Sequence, residues 1–310
     1  EIIIDENNSV KSPEKLLQVL EFAEKSEITT SSLVILFGGG SIGNLGGMVA
    51  GLCFRGIDFI HIPTTLLAQL DSSIGCKQSV NGFISKNKFG LFHTPQSINI
   101  NLLFNDTLEE IHIRSGLIEA LKHGFCQSEE LTNDVVAYSA KNLNVKNNQC
   151  VDLETLENII HKTIEYKLQY MDVDPYENSP EQHLELGHKI GHALEFAASE
   201  TIPHGICVAF GMIAEAKYFL IQNEISSNLL QSLINSIKKV VNGIDNLCFI
   251  DNKKIINNIS MDNKIKKNKI PLVLLKAIQK PESVYVLLDN NSIKIIEHSL
   301  NYTKEVFNAN

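Results

Sequence analysis

The sequence predicts an α/β domain in residues 1–110, followed by a mostly α-helical domain in residues 111–310. Two observations carry this prediction. Apolar runs of strand length, "SSLVILF" and "DFIHIP", each end in a glycine-rich or polar turn, which is typical of a parallel sheet wrapped by helices. From about residue 107 onward, long stretches of helical periodicity replace these short runs.

The same patterns predict the elements in chain order. We expect a strand in residues 1–5 and an amphipathic helix in 13–26. Residues 31–54 should form a strand, a glycine turn and a helix of small residues, and residues 55–71 a buried strand followed by a polar turn. In the second domain we expect helices in 106–126, 153–171, 184–205 and 225–244, and a strand pair in 270–278 and 283–289.

Composition excludes several classes of protein. With 44% hydrophobic and 20% charged residues the 310-residue chain has enough apolar material for a globular core. A net charge of −9 argues against nucleic acid or an anionic membrane as the partner. The 6 cysteines form no Cys-x-x-Cys pair, and no signal peptide or long apolar run is present, so we expect a reduced, cytoplasmic protein that does not span a membrane.

Three glycines, Gly38, Gly39 and Gly40, lie directly between the predicted strand and helix. Glycine lets backbone N–H groups approach a pyrophosphate closely, and the start of a helix favours negative charge. A tight turn without a ligand is the alternative interpretation.

Histidines form the second chemical pattern. His188 and His192 are four positions apart and therefore share a helix face, which allows them to hold zinc together. Isolated pairs of this kind are often surface or core residues without a ligand. A metal needs a third ligand, for which His204 and Glu119 are the candidates. Lysines in otherwise apolar segments either reach solvent or converge on a phosphate; the sequence leaves both interpretations open.

Together these segments resemble the sugar-phosphate cyclases, the family of 3-dehydroquinate synthase and 2-deoxy-scyllo-inosose synthase. The resemblance rests on "GGGSIGN", "FRGIDFIHIPTTLLAQLDSSIG", "GLIEALKHG", "LGHKIGHALE" followed by "HG", and "MDNK", all in order. It implies a Rossmann-like nucleotide-binding domain followed by a helical metal-binding domain, the dehydroquinate synthase-like fold. By the same resemblance we expect further strands of the first domain to precede the segment that opens this sequence; a chain without them would leave a sheet edge and apolar surface uncovered.

The resemblance also implies cofactors and site residues. One divalent metal, zinc or cobalt, would be bound by Glu119, His188 and His204, with His192 facing the substrate and its phosphate. The catalytic set would be Lys122, Glu185, His192 and Lys77. NAD would be bound by Gly38, Gly39, Gly40, Asn44, Thr64, Thr65 and Asp71. A phosphorylated sugar would be bound by Arg55, Asp71, Lys86, Asn87, Lys167 and Lys264, with Arg55 reaching across a homodimer interface.

Four positions favour the inosose-forming type, which acts on glucose 6-phosphate, over the dehydroquinate type. They are "GCKQSVN", Asn44, Glu185, and Glu181 in place of an arginine that would hold a substrate carboxylate. The implied reaction is a carbon–oxygen lyase reaction with transient oxidation by NAD. Ile206 replaces a family carboxylate after the last ligand. The alternatives are a 3-dehydroquinate synthase, a metal-dependent alcohol dehydrogenase of the glycerol dehydrogenase kind, and a non-catalytic homologue.

Overall fold

The computed structural model describes residues 1–4, 10–83, 86–143, 152–174, 183–199, 201–241, 250–261 and 268–308. The chain divides into two compact units, Glu1–Glu109 and Glu110–Asn310. Residues 1–4 do not form the predicted strand. Two positions of the sequence analysis, Glu181 and Lys264, lie outside the described residues.

The first unit opens with helix α1 (Pro13–Lys25). The Ser12 side chain accepts a backbone N–H from the first turn and caps the helix, and a proline follows at the first helical position, where it costs no hydrogen bond. Leu16, Val19 and Ala23 lie on one face of α1 and are buried against the next helix. This is the amphipathic helix that the apolar spacing predicts.

A small parallel sheet forms the centre of the first unit. Its strands are β1 (Val34–Gly38), β2 (Phe59–Pro63) and, later in the chain, β5 (Ser97–Ile98), in the order β1-β2-β5. Helix α2 (Gly40–Leu52) connects β1 to β2. The sheet thus has the strand–helix–strand arrangement that the sequence predicts for this segment.

Strand β1 is an edge strand among the described residues. Its inward side chain, Leu36, is buried, but Ile35 and Phe37 on the opposite face expose 62% and 60% of their surface. The ring of Phe37 makes an edge-to-face contact with the ring of Phe104, at a centroid distance of 5.3 Å. Among the described residues, one edge and one apolar face of this strand are therefore uncovered.

An antiparallel hairpin, β3 (Lys77–Val80) and β4 (Phe89–Phe92), follows β2 in the first unit. Neither strand was predicted, because each has only 4 residues and lacks a clear apolar alternation. A helical turn with π-type hydrogen bonding (Ala68–Ser72) connects β2 to the hairpin. Irregular helices of this kind often occur at functional sites.

In its described residues, the regular secondary structure of the second unit is helical apart from one hairpin. Helix α7 lies at its centre and contacts the helices before and after it. The described elements are α3 (Glu110–Gln127), α4 (Glu129–Asn142), α5 (Leu153–Val173), α6 (His188–Ala197), α7 (His204–Ile221), α8 (Ser227–Val240), α9 (Asn252–Ser260), β6 (Lys269–Leu275), β7 (Pro281–Leu287) and α10 (Asn290–Asn308).

Helix α7 is long and apolar enough to cross a membrane by length and composition alone. Most of it is buried in the second unit, where residues such as Phe210 and Met212 are fully enclosed. The core helix of a globular protein passes the same test, so α7 gives only weak evidence for a membrane. The histidine-rich segment, expected as one helical run, is two helices that meet near Pro203.

Candidate metal centre and nucleotide-binding turn

Helices α6 and α7 bring three histidines together. His188 and His192 lie one turn apart on α6, and His204 is the first residue of α7. Their ligand nitrogens all lie within 4.8 Å of one another, and the ring centroids are separated by 5.3, 5.4 and 5.4 Å. We refer to these three side chains as the histidine cluster.

The start of α6 is fixed by Gly187. Its φ of 76° is in the left-handed region, and a Cβ at this position would lie 2.6 Å from the carbonyl oxygen of Val208. The Gly187 N–H donates to the buried carboxyl group of Glu215 at 3.1 Å. Because His188 comes next in the chain, this turn sets the direction in which its side chain leaves the backbone.

The start of α7 is positioned by contact with α3. A Cβ on Gly205 would lie 2.0 Å from the carbonyl oxygen of Ser115, so only glycine allows this approach. The Gly205 N–H donates to Ser115 Oγ at 2.9 Å. Glu119 lies one helical turn after Ser115 and therefore faces His204, the neighbour of Gly205. The "HG" pair is thus explained by packing as well as by ligand chemistry.

Glu119 is fully buried and faces the histidine cluster. Its Oε1 lies 3.3 Å from Nε2 of His204 and 3.7 Å from Nε2 of His188. Its Oε2 forms an ion pair of 2.7 Å with the equally buried Lys122. Since Lys122 occupies one oxygen, the other is left directed at two imidazole nitrogens.

The remaining ring nitrogens of two histidines have their own partners. Nδ1 of His188 lies 3.2 Å from the carbonyl oxygen of Leu186, and Nδ1 of His204 lies 3.1 Å from Oε2 of Glu195. When Nδ1–H donates to such an oxygen, Nε2 keeps its lone pair for a metal.

Glu195 was missed by the sequence analysis. It follows His188 by seven positions and His192 by three, which places it on the same face of α6, and this spacing is the signal that could have revealed it. Ile206, where the resemblance leads one to expect a carboxylate, is fully buried in α7. Glu195, the last residue of "LGHKIGHALE", supplies a carboxylate to His204 from α6.

Burial and neighbouring charges shift the proton affinities of the cluster. Burial would raise the pKa of Glu119, but Lys122, together with two histidines, holds it well below its usual value. Burial, with help from Lys122, lowers the pKa of His188 to about 4, and burial also lowers that of His192. Burial likewise opposes protonation of His204, yet Glu195 and Glu119 outweigh it and raise its pKa to about 10.

The donor set of this centre fits a divalent transition metal. Carboxylate oxygen and imidazole nitrogen are ligands that both zinc and cobalt accept in proteins. Glu119, His188 and His204 present one donor atom each toward the others, and the carboxylate brings the negative charge that a buried dication requires. The residues predicted as metal ligands therefore have the chemistry and the proximity to hold such an ion.

The glycine turn lies in the first unit. Gly38 ends β1, and Gly40 begins α2. A Cβ on Gly40 would lie 2.6 Å from Ser72 Oγ, and one on Gly39 would lie 3.0 Å from Thr65. Within the described residues no side chain caps the start of α2, so its first N–H groups are available to an anion. This turn fits the pyrophosphate of a dinucleotide.

Residues after β2 are tied to this turn. The Thr64 N–H donates to the Gly38 carbonyl at 3.0 Å, and Thr65 Oγ1 accepts the Ala68 N–H at 3.3 Å. Asp71 lies in the following π-type turn. The predicted cofactor residues of this segment are therefore close to the glycine turn in the fold.

Asn44 connects α2 to the hairpin. Its side-chain N–H donates to the Gly40 carbonyl at 2.9 Å, while its oxygen accepts both the N–H and the hydroxyl of Ser79 at 3.2 Å. Ser79 Oγ also donates to Asn87, which has a left-handed φ of 50° and bonds to Lys11 at 2.5 Å. An aspartate at position 44 could accept from Ser79 but could not donate to Gly40. Asn44 and the serine of "KQSVN" are thus one structural unit.

The other predicted residues are distributed over both units. Lys77 begins β3 and is exposed, and Lys86 lies in the turn between β3 and β4. Arg55 is exposed after α2, with a φ of 68°. Lys167 lies on α5. Glu185 lies just before α6 and forms an ion pair of 3.2 Å with Lys189, which lies within α6. Within the second unit, Glu119, Lys122, Glu185 and the histidine cluster come together.

Comparison with solved structures identifies the fold of this protein. The structure of a 2-deoxy-scyllo-inosose synthase complexed with carbaglucose-6-phosphate, NAD+ and Co2+ matches 97% of this chain and 82% of its own, with a TM-score of 0.81 and 24% identity. The likeness confirms the dehydroquinate synthase-like fold that the sequence analysis predicts.

Sequence comparison gives the family. Profiles for the N-terminal and C-terminal parts of 3-dehydroquinate synthase match residues 1–115 and 116–265. The chain is 34% identical to the 3-dehydroquinate synthase of Clostridium acetobutylicum over 280 residues, 89% of this chain and 76% of the relative. It is 35% identical to a bifunctional 3-dehydroquinate synthase/phosphatase of Fusobacterium nucleatum over 273 residues, 88% of this chain but 40% of that longer protein. The chain belongs to the 3-dehydroquinate synthase family of sugar-phosphate cyclases.

Proposed function

We propose that this protein is an NAD- and metal-dependent cyclase that converts glucose 6-phosphate to 2-deoxy-scyllo-inosose with release of phosphate. Its net class would be that of a carbon–oxygen lyase, because NAD is reduced and reoxidised within one turnover. Membership of the family does not specify the substrate, and the proposal names one. It rests chiefly on the charge placed beside the histidine cluster.

That charge is Glu185. Its carboxylate lies one turn before His188, is partly exposed, and is close enough to favour protonation of His188 and His192. Glu185 is paired with Lys189 at 3.2 Å, and a substrate carboxylate would have to compete with it for that cation and would repel it in a partly buried site. Glucose 6-phosphate has no carboxylate on its ring. Glu185 therefore supports a neutral sugar ring over the heptulosonate.

The cofactors supply the redox chemistry. When bound, NAD takes up and later returns one hydride, and the divalent cation withdraws electrons from the oxygen of the carbon that is oxidised. Glu119, His188 and His204 would hold the cation, and the glycine turn would hold the dinucleotide. Oxidation makes the neighbouring C–H acidic, so that phosphate can leave by elimination.

The chain's own residues would manage protons and charge. His192 and Glu185 are groups that can carry a proton near the cluster. Lys122 is held by Glu119 at 2.7 Å and can donate to a substrate oxygen from a fixed position. By the family resemblance we assign Lys77 to catalysis and Arg55 to the substrate phosphate. The other residues assigned to the sugar phosphate are Asp71, Lys86, Asn87, Lys167 and Lys264.

A second candidate function is 3-dehydroquinate synthase. The observation that favours it is sequence identity: the curated relatives that match at 34% and 35% carry that name. The heptulosonate phosphate of that reaction carries a carboxylate, which by the family resemblance an arginine at the position of Glu181 would help to hold. The two candidates therefore differ in which sugar phosphate should release phosphate.

The test is phosphate release by the purified protein with NAD and cobalt or zinc, with glucose 6-phosphate and the heptulosonate 7-phosphate offered separately. We expect release from glucose 6-phosphate without net NADH. The Glu185→Asn variant should shift kcat/KM toward the heptulosonate by about tenfold or more, as expected for removal of a like charge worth about 1.4 kcal/mol.

Other outcomes would contradict the proposal. Release only from the heptulosonate would make the protein a dehydroquinate synthase, and net NADH without phosphate release would place it with the alcohol dehydrogenases. An exposed-site variant, Glu157→Gln, serves as the matched control and should leave both rates unchanged.

Cytoplasmic location, a homodimer and a role for Arg55 across its interface remain predictions.

A further inference from the structure

We propose that Lys189 is a specificity-determining residue of the site, because its buried ammonium group is the cation that a substrate carboxylate must capture from Glu185. The inference deepens the proposed function and rests on it, since it concerns which sugar phosphates the same site admits. It is carried by one ion pair, in which Nζ of Lys189 lies 3.2 Å from Oε2 of Glu185. Glu185 ends the helical turn before α6, and Lys189 is the second residue of that helix.

The two members of this pair differ in their exposure. The side chain of Lys189 exposes 3% of its surface, whereas that of Glu185 exposes 20%. The ammonium group is thus enclosed, and the carboxylate against it is the member of the pair that a ligand can reach. A carboxylate on a ligand can take the place of the one on Glu185, because both carry the same charge and accept hydrogen bonds in the same way.

The buried ammonium group of Lys189 requires a negative partner, since lysine is almost never fully buried unless it is paired. Glu215 also lies within the electrostatic field of Lys189. Burial raises the pKa of Glu215 to about 8, so this group is mostly neutral at pH 7. Glu185 therefore supplies an ionised carboxylate to Lys189, which the neutral Glu215 does not.

The ion pair lies beside the histidine cluster. Lys189 directly follows His188 in α6. Burial lowers the pKa of both His188 and His192, and the Glu185 carboxylate opposes this effect, which places it near both rings. A sugar phosphate that binds at the cluster therefore has the Glu185–Lys189 pair as its neighbour.

The charge at position 185 decides what the ammonium group can bind. With glutamate, Lys189 is neutralised within the protein, and a neutral sugar ring has no charge to compensate. With a neutral amide in its place, the ammonium group lacks this partner, and a substrate carboxylate can supply it through a charge-assisted hydrogen bond. Specificity thus depends on both residues, since removal of the lysine takes away the cation to which the carboxylate would bind.

The experiment is a double-mutant cycle of Glu185→Gln and Lys189→Met. Calorimetry of the full chain with NAD, and with the metal left out to prevent turnover, measures the Kd of glucose 6-phosphate and of the heptulosonate 7-phosphate. Glu185→Gln should shift the ratio of the two affinities toward the heptulosonate by about tenfold or more, since hydrogen bonds to charged groups contribute about that much. The double variant should return to the wild-type ratio.

Urea unfolding shows whether the variants fold. Each single variant leaves one charge of the pair unmatched, so its urea midpoint should fall below that of wild type. The double variant has two neutral side chains of similar length and should recover much of this loss. The matched control is Glu130→Gln with Lys162→Met, at an exposed ion pair of 2.7 Å between α4 and α5, and should leave the affinity ratio unchanged.

A gain for the heptulosonate that persists in the double variant would overturn the proposal, because Lys189 would then not be its source. An unchanged affinity ratio in a folded Glu185→Gln variant would overturn it as well. Neither result affects the choice of glucose 6-phosphate as substrate, which the phosphate-release assay decides. Absence of binding of both sugar phosphates by wild type and all folded variants would overturn the proposed function, and this inference with it.

Discussion

At the scale of single residues, Glu195 determines the orientation of the His204 ring. Its Oε2 lies 3.1 Å from Nδ1 of His204, and its side chain is almost fully buried. The carboxylate orients the ring and increases the basicity of Nε2, as acidic partners of metal-bound histidines commonly do. Glu195 is therefore the carboxylate partner of His204 in this chain.

We therefore expect Glu195→Gln to weaken Co2+ binding by about tenfold and Glu195→Ala by up to about a hundredfold. The glutamine keeps an acceptor for Nδ1–H but loses the charge, whereas alanine loses both. The affinity of the metal-free protein is measured by calorimetric titration. Glu157→Gln, an exposed substitution on α5, is the control. Wild-type affinity in both Glu195 variants would show that His204 does not depend on this carboxylate.

At the scale of elements, the contact between α3 and α7 determines whether Glu119 faces His204. Gly205→Ala places a methyl group where the Ser115 carbonyl oxygen would be 2.0 Å away, so the helices must separate. We expect a loss of about 1–3 kcal/mol in the free energy of unfolding and weaker Co2+ binding.

The matched variant is Ser115→Ala, which removes the hydrogen bond to the Gly205 N–H without a steric clash. It should cost about 1 kcal/mol and leave Co2+ affinity nearly unchanged. Both free energies come from urea titrations of the metal-free protein. If Gly205→Ala binds Co2+ as wild type does, the close approach of these helices is not what aligns the ligands.

The same elements show what a sequence can predict. Periodicity places α1, α5 and α8 to within a few residues, because each buries one apolar face. Helix α3 is also placed to within a few residues, although it is buried on all sides between Arg114 and Cys126. It does not reveal that the histidine segment is two helices, because the turn at Pro203 lies between segments of similar composition. Nor does spacing alone select the ligands. Glu119 reaches the cluster through a contact at Gly205, far along the chain, and contacts of this kind have no local signal.

At the scale of the whole molecule, the division into two compact units follows the change in sequence pattern, since strands and glycine turns end where long helices begin. Within the second unit, stability depends on groups that join its elements. Glu215 on α7 accepts the N–H of Gly187 at the start of α6 and lies 3.5 Å from the N–H of Val273 on β6. A single buried carboxyl group thus connects two helices and a strand.

Glu215 should make stability depend on pH. Burial raises its pKa to about 8, whereas in the unfolded chain a glutamate has a pKa of about 4.3. The stabilisation is complete below about pH 4 and is lost as pH rises toward 8, at up to about 1.4 kcal/mol per pH unit, because only the unfolded state ionises in that window. Above about pH 8 this contribution becomes constant.

Glu215→Gln keeps an acceptor for Gly187 and cannot ionise. Its free energy of unfolding should therefore fall less between pH 6 and 8 than that of wild type, by up to about 1.4 kcal/mol per unit. Urea unfolding of the metal-free protein, with a chelator present throughout, measures both curves, and Glu157→Gln should follow the wild-type curve. Parallel curves for wild type and Glu215→Gln would mean that Glu215 is already ionised in the folded protein, with a cation or water as its partner.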